Sequence, residues 1–293
     1  MEGKNNPSTR RKSIVVVKLD NDSEKHYDFS KDVVEWKDIN VLEDDSQDAC
    51  CPHSFSPDRD ILHENYATIL TKAQVKGRID SEHVMKAEIK KFESFGAFER
   101  VKDNGQYAIR TRWVFSEHED ESKGYKLKAR LCVRGDTEED QEFIRAESPT
   151  AHKDTLKLAL SIAANERFEI ISADVKSAFL QGKTLDREVF VIPPVEAQED
   201  GMLWLLKKGA YSLIDGSRLF YLELKKKLEK IRMKVVSGDS ALFTMHKNSK
   251  LIGLVSIHVD DFFMAGNQEF KKLVIGQLMK HFQFSKIEEN KFK

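Results

Sequence analysis

Three aspartates stand where apolar, strand-like runs come to an end. Asp174 lies at the end of Phe168 to Val175, and Asp260 and Asp261 follow directly on Leu251 to Val259. Aspartate suits strand interiors poorly, so strands that close on carboxylates call for a reason. Two adjacent strands of this kind can hold two divalent ions side by side, the arrangement that stabilises the attacking and leaving oxygens of phosphoryl transfer. Hard oxygen donors suit Mg²⁺, or Mn²⁺ in its place, with substrate phosphates completing the octahedron. A plainer reading makes Asp260 and Asp261 a polar turn between Val259 and Phe262. The flanks argue against it: Leu254 to Val259 and Phe262 to Ala265 form an apolar hairpin, whose tip is a costly place for two like charges without a cation.

A second signal is positive charge. Between Lys207 and Lys234, the cations Lys207, Lys208, Arg218, Lys225, Lys226, Lys227, Lys230, Arg232 and Lys234 face only Asp215, Glu223 and Glu229. The segment reads either as a solvated helix face or as a track for a nucleic-acid phosphate backbone. The net charge of −1 does not decide between them, because the distribution of charge and not its sum makes such a surface. Of the three cysteines, Cys50 and Cys51 are neighbours that cannot easily pair and Cys132 has no evident partner. Free thiols point to a reducing, intracellular compartment. Zinc on Cys50, Cys51, His53 and His63 would follow no standard finger spacing, and a solvated loop is the expectation there. No run approaches the roughly 18 apolar residues of a spanning helix. The start MEGKNNPSTRRKS lacks a secretory apolar stretch, so no membrane is expected.

The elements that must position these groups follow from periodicity. With 293 residues, 40% of them apolar, the chain can bury a sizeable core. Residues 1–60 are polar apart from Ile14 to Leu19 and Val33 to Trp36 and read as a poorly ordered leader. Residues 61–97 read as a helical lead-in, with Met85, Ile89, Phe92 and Phe95 on one face and Gly96 as its stop. Strands are expected at Ala108 to Ser116 and Lys126 to Val133, joined by the turn Glu117 to Gly124. A helix capped by Asp154 comes next, then the Asp174 strand, then strands at Glu188 to Ile192 and Met202 to Leu206. A helix from Ser217 presents Phe220, Leu224, Leu228 and Ile231 on one side. Strands Ala241 to His246 and Leu251 to Val259 lead into Asp260, and Asn267 caps a last helix. The order predicts an α+β fold built on an antiparallel sheet backed by helices.

These segments resemble a known family. IHVDDFFMAG looks like the paired-aspartate hairpin of reverse transcriptases, and SADVKSAFLQG resembles the copia form of the first catalytic motif. TRWVF, KLKARLCVRGD, ESPTAHKDTLKLAL, EVFVIPP and LLKKGAYSLIDGSRLFYLEL are similar, in order, to successive segments of copia-type retrotransposon Pol polyproteins, so that residues 98–293 read as fingers and palm. The resemblance implies a right-hand polymerase palm with attached fingers, with thumb and RNase H missing, and an RNA-directed DNA polymerase. It implies Asp174, Asp260 and Asp261 as ligands of two Mg²⁺ or Mn²⁺ ions, with Asp174 and Asp260 the more strictly needed. Phe179 would be the steric gate against a ribose 2′-hydroxyl, Lys128 and Arg130 the cations holding the incoming triphosphate with Arg134 a weaker candidate, and Tyr211 would begin the motif under the nucleotide and template. Partners would be an RNA or DNA template-primer, deoxynucleoside triphosphates and other Pol segments such as thumb, RNase H and integrase, within a cytoplasmic virus-like particle.

Three departures accompany the match. Ser212 stands where the family usually has Gly, and Ile214, Asp215, Gly216 and Ser217 replace the family's Lys-Gln-small-Pro. A Cβ at Ser212 is expected to crowd the nucleotide or template if glycine serves close approach there. His258 replaces the tyrosine beside the paired aspartates, and the primer grip, thumb and RNase H into which the family normally continues after HFQFSKIEENKFK are missing here. The rival reading is a catalytically silent remnant that folds as a palm and at most binds nucleic acid. A nucleotide cyclase with a similar two-metal palm would leave the other matching segments unexplained.

Overall fold

The computed structural model describes residues 14–18, 24–28, 68–120 and 124–289, and the chain divides into two units, Met1–Leu62 and His63–Lys293. In the first unit β1 (Ile14–Lys18) pairs with β2 (Glu24–Asp28) as an antiparallel ribbon. The rest of the expected leader, including Cys50, Cys51 and His53, lies outside the described residues, as does His63.

The second unit opens with β3 (Thr68–Leu70) and the short α1 (Lys72–Val75) before α2 (Ile79–Ser94). One helix does not run through this stretch because Gly77 sits at φ +88, a left-handed position that ends α1. Helix α2 buries Ile89 and Phe92, as their spacing predicts, and stops before Gly96 at φ +59. Strand β4 (Phe98–Lys102) follows, then β5 (Ala108–Asp120) and β6 (Gly124–Val133), a longer hairpin than the apolar runs alone predict. Helix α3 (Lys153–Asn165) is entered from His152, and Asp154, already inside its first turn, makes no capping bond. The His152 N–H is instead accepted by the Asp239 carboxylate at 3.2 Å.

Strands β7 (Glu169–Val175), β8 (Phe190–Ile192) and β9 (Met202–Leu206) precede α4 (Gly216–Lys230). The chain continues through β10 (Lys234–Val236), β11 (Asp239–Lys247), β12 (Lys250–His258), β13 (Asp261–Gly266), α5 (Gln268–His281) and β14 (Phe284–Glu289). Asn267 caps α5 as expected, its side chain accepting from the Phe270 N–H at 2.9 Å.

Two sheets result, of order β10-β11-β12-β13-β7-β14 and β3-β5-β8-β9-β4, with β6 added on β5. The first is antiparallel throughout, as expected. The second is mixed, because β5 and β8 run parallel. One face of the first sheet, with Ile171, Ala173 and Val175, packs on Phe220, Leu224 and Leu228 of α4 and on Phe270, Val274 and Leu278 of α5. The other face, with Leu242, Leu254, Phe263 and Ala265, packs on Ala159 and Ala163 of α3. Gly253 and Gly266 oppose one another across β12 and β13, and a Cβ on either would overlap the buried Phe270 ring. Glycine there makes room for a phenylalanine whose burial contributes about 1.5–3 kcal/mol. Among the described residues no helix is long and apolar enough to cross a membrane.

Candidate functional site

The register of β13 on β7 sets Asp261 directly opposite Asp174. On the outer sides, His258 pairs with Asp261 and Lys286 with Asp174. Directly opposed residues share a face of the sheet. His258, Asp261, Asp174 and Lys286 therefore form one row across β12, β13, β7 and β14, on the side that α3 covers farther along. The next row is Ser256, Phe263, Ser172 and Glu288. Helix α3 stops short of the charged row, and a cavity of about 300 Å³ opens there, lined also by Leu156 and Ala151.

Asp260 is at the hairpin tip, beside Val259, which takes φ +58. A β-branched residue at positive φ costs on the order of 1–3 kcal/mol and persists only where its surroundings enforce it. Here they do, because the Asp260 carbonyl accepts the Val175 N–H at 3.0 Å and ties the tip to the end of β7. Burial pushes the Asp260 carboxyl above its usual range; its own backbone N–H and Arg130 pull it down, and Asp174 and Asp261 push it up further. Asp174 accepts a hydrogen bond from the Ser285 hydroxyl. Among the described residues no three His, Cys, Asp or Glu side chains converge closely enough to hold a metal ion. Carboxylates are hard oxygen donors, and a carboxyl raised first by burial and then by Asp174 and Asp261 would be relieved by a positive charge beside it.

Cations approach this row from the other sheet. Lys128 and Arg130 lie on the exposed face of β6, alternating with buried Leu127, Ala129 and Leu131. Burial lowers the Lys128 ammonium, as do Arg130 and Lys126, while Asp174 raises it. Arg130 in turn acts on Asp260 and on Tyr211. Neither Lys128 nor Arg130 makes an ion pair among the described residues, so their charge is available to an anion. Arg134, by contrast, is engaged by Asp136 at 2.6 Å.

Two rings adjoin this region, Tyr211 within reach of the charges of both Arg130 and Asp260. Phe179, in the 3₁₀ turn Ala178–Gln181 just after β7, meets Tyr211 edge-on, with centroids 5.4 Å apart and planes at 71°. Burial raises the Tyr211 phenol and a hydrogen bond with Ser177 opposes this. The Tyr211 carbonyl accepts the Val133 N–H at 2.9 Å, which fastens the loop to the end of β6. Asp174, Asp260, Asp261, Lys128, Arg130, Phe179 and Tyr211 thus lie in one region of the fold.

Ser212 is exposed and takes φ +63. Glycine suits this position for its backbone conformation. Within the protein a close backbone approach falls at the neighbouring Gly135, where a Cβ would overlap the Ser212 carbonyl oxygen. Sequence reasoning missed the group that anchors this loop. Arg187 holds Asp215 with two hydrogen bonds of 3.0 Å and reaches Glu138 at 2.5 Å. Glu138 also accepts the Ile214 N–H at 3.3 Å. Only the unusual Asp215 hinted at such a partner.

The basic segment is placed differently. Helix α4 packs on the Ile171, Ala173 and Val175 face, so Lys225, Lys226 and Lys227 lie on the reverse of the sheet from Asp174. Lys207 pairs with Glu99 at 2.9 Å, Lys208 donates to the Gly182 carbonyl at 2.8 Å, and Arg218 reaches Glu147 at 3.5 Å. Lys225 and Lys227 pair along the helix with Glu229 and Glu223.

A family model described as reverse transcriptase (RNA-dependent DNA polymerase) matches residues 97–292. The chain is 26% identical over 160 residues to the retrovirus-related Pol polyprotein from transposon RE1 of Arabidopsis thaliana, covering 53% of this chain and 11% of that protein. It is 27% identical over 192 residues to the retrovirus-related Pol polyprotein from transposon TNT 1-94 of Nicotiana tabacum, covering 63% and 14%. The matched stretch thus spans about a tenth of the length of these relatives. A solved foamy viral protease-reverse transcriptase in complex with double-stranded DNA aligns with 71% of this chain and 31% of its own, at a TM-score of 0.41 and 13% identity.

Proposed function

This chain belongs to the reverse transcriptase (RNA-dependent DNA polymerase) family, within the copia-type retrotransposon Pol polyproteins, and on that premise we propose that it adds deoxynucleotides to a primer on an RNA or DNA template. The observation that carries the proposal is the cross-strand pairing of Asp174 with Asp261 beside the raised carboxyl of Asp260, facing Lys128 and Arg130. In this reading the first sheet is the palm and β5 with β6 belongs to the fingers.

Asp174 and Asp260, with Asp261, would hold two Mg²⁺ or Mn²⁺ ions, which when bound activate a primer 3′-hydroxyl and neutralise the triphosphate. Lys128 serves the triphosphate as a point charge and Arg130 as a bidentate fork. The Phe179 ring, braced edge-on by Tyr211, blocks the space a ribose 2′-hydroxyl needs. Tyr211 supports the nucleotide from below. The backbone tie from Val175 to Asp260 keeps the carboxylates in register while substrate is held. No covalent enzyme intermediate is needed. Template-primer, other Pol segments and a cytoplasmic particle are the proposed context.

Titration calorimetry with Mn²⁺ tests the site. Binding is expected in the native chain and lost in Asp174→Asn combined with Asp260→Asn; unchanged binding in the double variant overturns it. Primer extension then tests the gate, with Phe179→Ala admitting ribonucleotides. A second reading, a silent remnant, draws on one observation: among the described residues the carboxylates do not converge closely on one point. Failure of a folded chain to bind Mn²⁺ would favour it.

A further inference from the structure

The reverse face of the first sheet has its own charged surface. One cavity of about 410 Å³ lies between the Gly182–Thr184 loop, α4 and the end of α5, lined by Lys183, Lys208, Lys226 and Lys227. A second, of about 530 Å³, continues past the C-terminal end of α4 to β11 and β12, lined by Lys227, Lys230, Arg232 and Lys247. Lys227 and His281 line both, so the two form one groove.

Basic residues in the last turn of α4 would favour the helix dipole by themselves. That does not account for Lys183, Lys208 and Lys247, which come from other elements and converge on the same groove. Several of these charges are balanced: Lys183 by Asp186, Lys227 by Glu223 and Lys247 by Glu269. Lys226, Lys230 and Arg232 have no ion pair among the described residues. The groove is net positive, since Lys183, Lys208, Lys226, Lys227, Lys230, Arg232 and Lys247 line it against only Glu223 and Glu269. The wall is firm where Lys208 binds the Gly182 carbonyl, because a Cβ at Gly182 would stand 2.8 Å from the Phe220 nitrogen.

We propose that this groove binds the phosphate backbone of a nucleic-acid strand, at a site separate from the carboxylate row and on the opposite face of the sheet. Two cavities in series suit a chain of phosphates rather than one small anion. Lys226 and Lys230 are a helical i, i+4 pair, neighbours on one face. The first cavity offers a single apolar side chain, the buried Phe282, and the second adds Ile231, the exposed Leu273 and the buried Met245 and Ile252. Base stacking would want exposed rings, and no Phe, Tyr or Trp other than the buried Phe282 lines either cavity. Contact is therefore with phosphates, without sequence preference and strongly dependent on salt. The proposal does not depend on polymerase activity, since neither a metal nor Asp174 takes part.

Fluorescence anisotropy with a short labelled single-stranded RNA, in EDTA and on the full chain carrying Asp174→Asn, tests it. Lys226→Gln with Lys230→Gln removes two phosphate contacts. At about 0.7 per contact the log-log salt slope falls by roughly 1.4, and affinity at ~0.1 M salt drops about 25-fold. Unchanged affinity and slope overturn the proposal. Circular dichroism melts identify misfolding, and Lys226→Glu alone, a single exposed change, then gives the deciding measurement. Unchanged RNA binding with loss of polyglutamate binding also overturns it, assigning the face to an acidic protein segment. Loss of Mn²⁺ binding with RNA binding intact defeats the polymerase reading and leaves this site standing.

Discussion

Replacing Arg187 by methionine keeps a side chain of similar length and removes only the fork that holds Asp215 and Glu138. Those two carboxylate side chains are 12% and 4% exposed, while Arg187 is 29% exposed. Breaking a buried pair costs about 3–5 kcal/mol, because it leaves an uncompensated charge. Here two charges are orphaned, but water at the arginine screens part of the loss, so about 2–4 kcal/mol is expected. Burial works against the guanidinium, yet Asp215 and Glu138 outweigh it and hold its pKa up. For a domain of this size each kcal/mol moves Tm by about 2–4 °C, so thermal melts followed by circular dichroism should fall by roughly 5–12 °C. Hydrogen exchange should quicken at 211–216, the loop that Glu138 and Asp215 anchor. Adding Asp215→Asn and Glu138→Gln to Arg187→Met should restore most of the loss, since a neutral trio carries no buried charge. A single variant within about 0.5 kcal/mol of the native chain, or a triple variant no better than the single, would refute this account.

Three further outcomes follow from other contacts. Gly266→Ala should destabilise by about 1–3 kcal/mol in urea unfolding, as its Cβ would meet the Phe270 ring and the Ile252 carbonyl oxygen; a neutral result would mean that the ring moves freely. Ser212→Gly should stabilise by about 1 kcal/mol through relief of φ +63, measured by the same unfolding, and a loss of stability would contradict it. Asp239→Ala should cost about 1.5–3 kcal/mol at neutral pH. Burial pushes the Asp239 carboxyl up, but Thr155 and the N–H groups of Ala241 and His152 outweigh it and hold it below its usual 3.8. A depressed carboxyl stabilises the fold above 3.8 and loses that contribution as pH falls through its folded value, so the variant's deficit should shrink in acid melts.

The carboxylate row was legible because strands have a period of two. On β7, Ile171, Ala173 and Val175 alternate with Ser172 and Asp174 and so mark the face of Asp174. Strand β13, by contrast, is apolar on both faces and is set by the hairpin, whose turn at Val259 and Asp260 leaves Asp261 only one register against His258. The Arg187 clamp was not legible, since its partners lie 28 residues away at Asp215 and farther still at Glu138 and no periodic pattern marks them. The parallel pairing of β5 with β8 was hidden for the same reason. Helix α4 shows a different limit. Its spacing of Phe220, Leu224 and Leu228 tells which side of the helix is buried, and so that its lysines face solvent. It does not tell which face of the sheet receives the helix. Both faces offer apolar rows, with Ile171, Ala173 and Val175 on one and Leu254, Phe263 and Ala265 on the other. The choice rests on the path from β9 through the Tyr211 loop and on α3 already covering the second face. That choice separates the lysines of α4 from Asp174 and sets the charge run, which the sequence leaves open between a solvated helix face and a phosphate track, on the reverse face of the sheet.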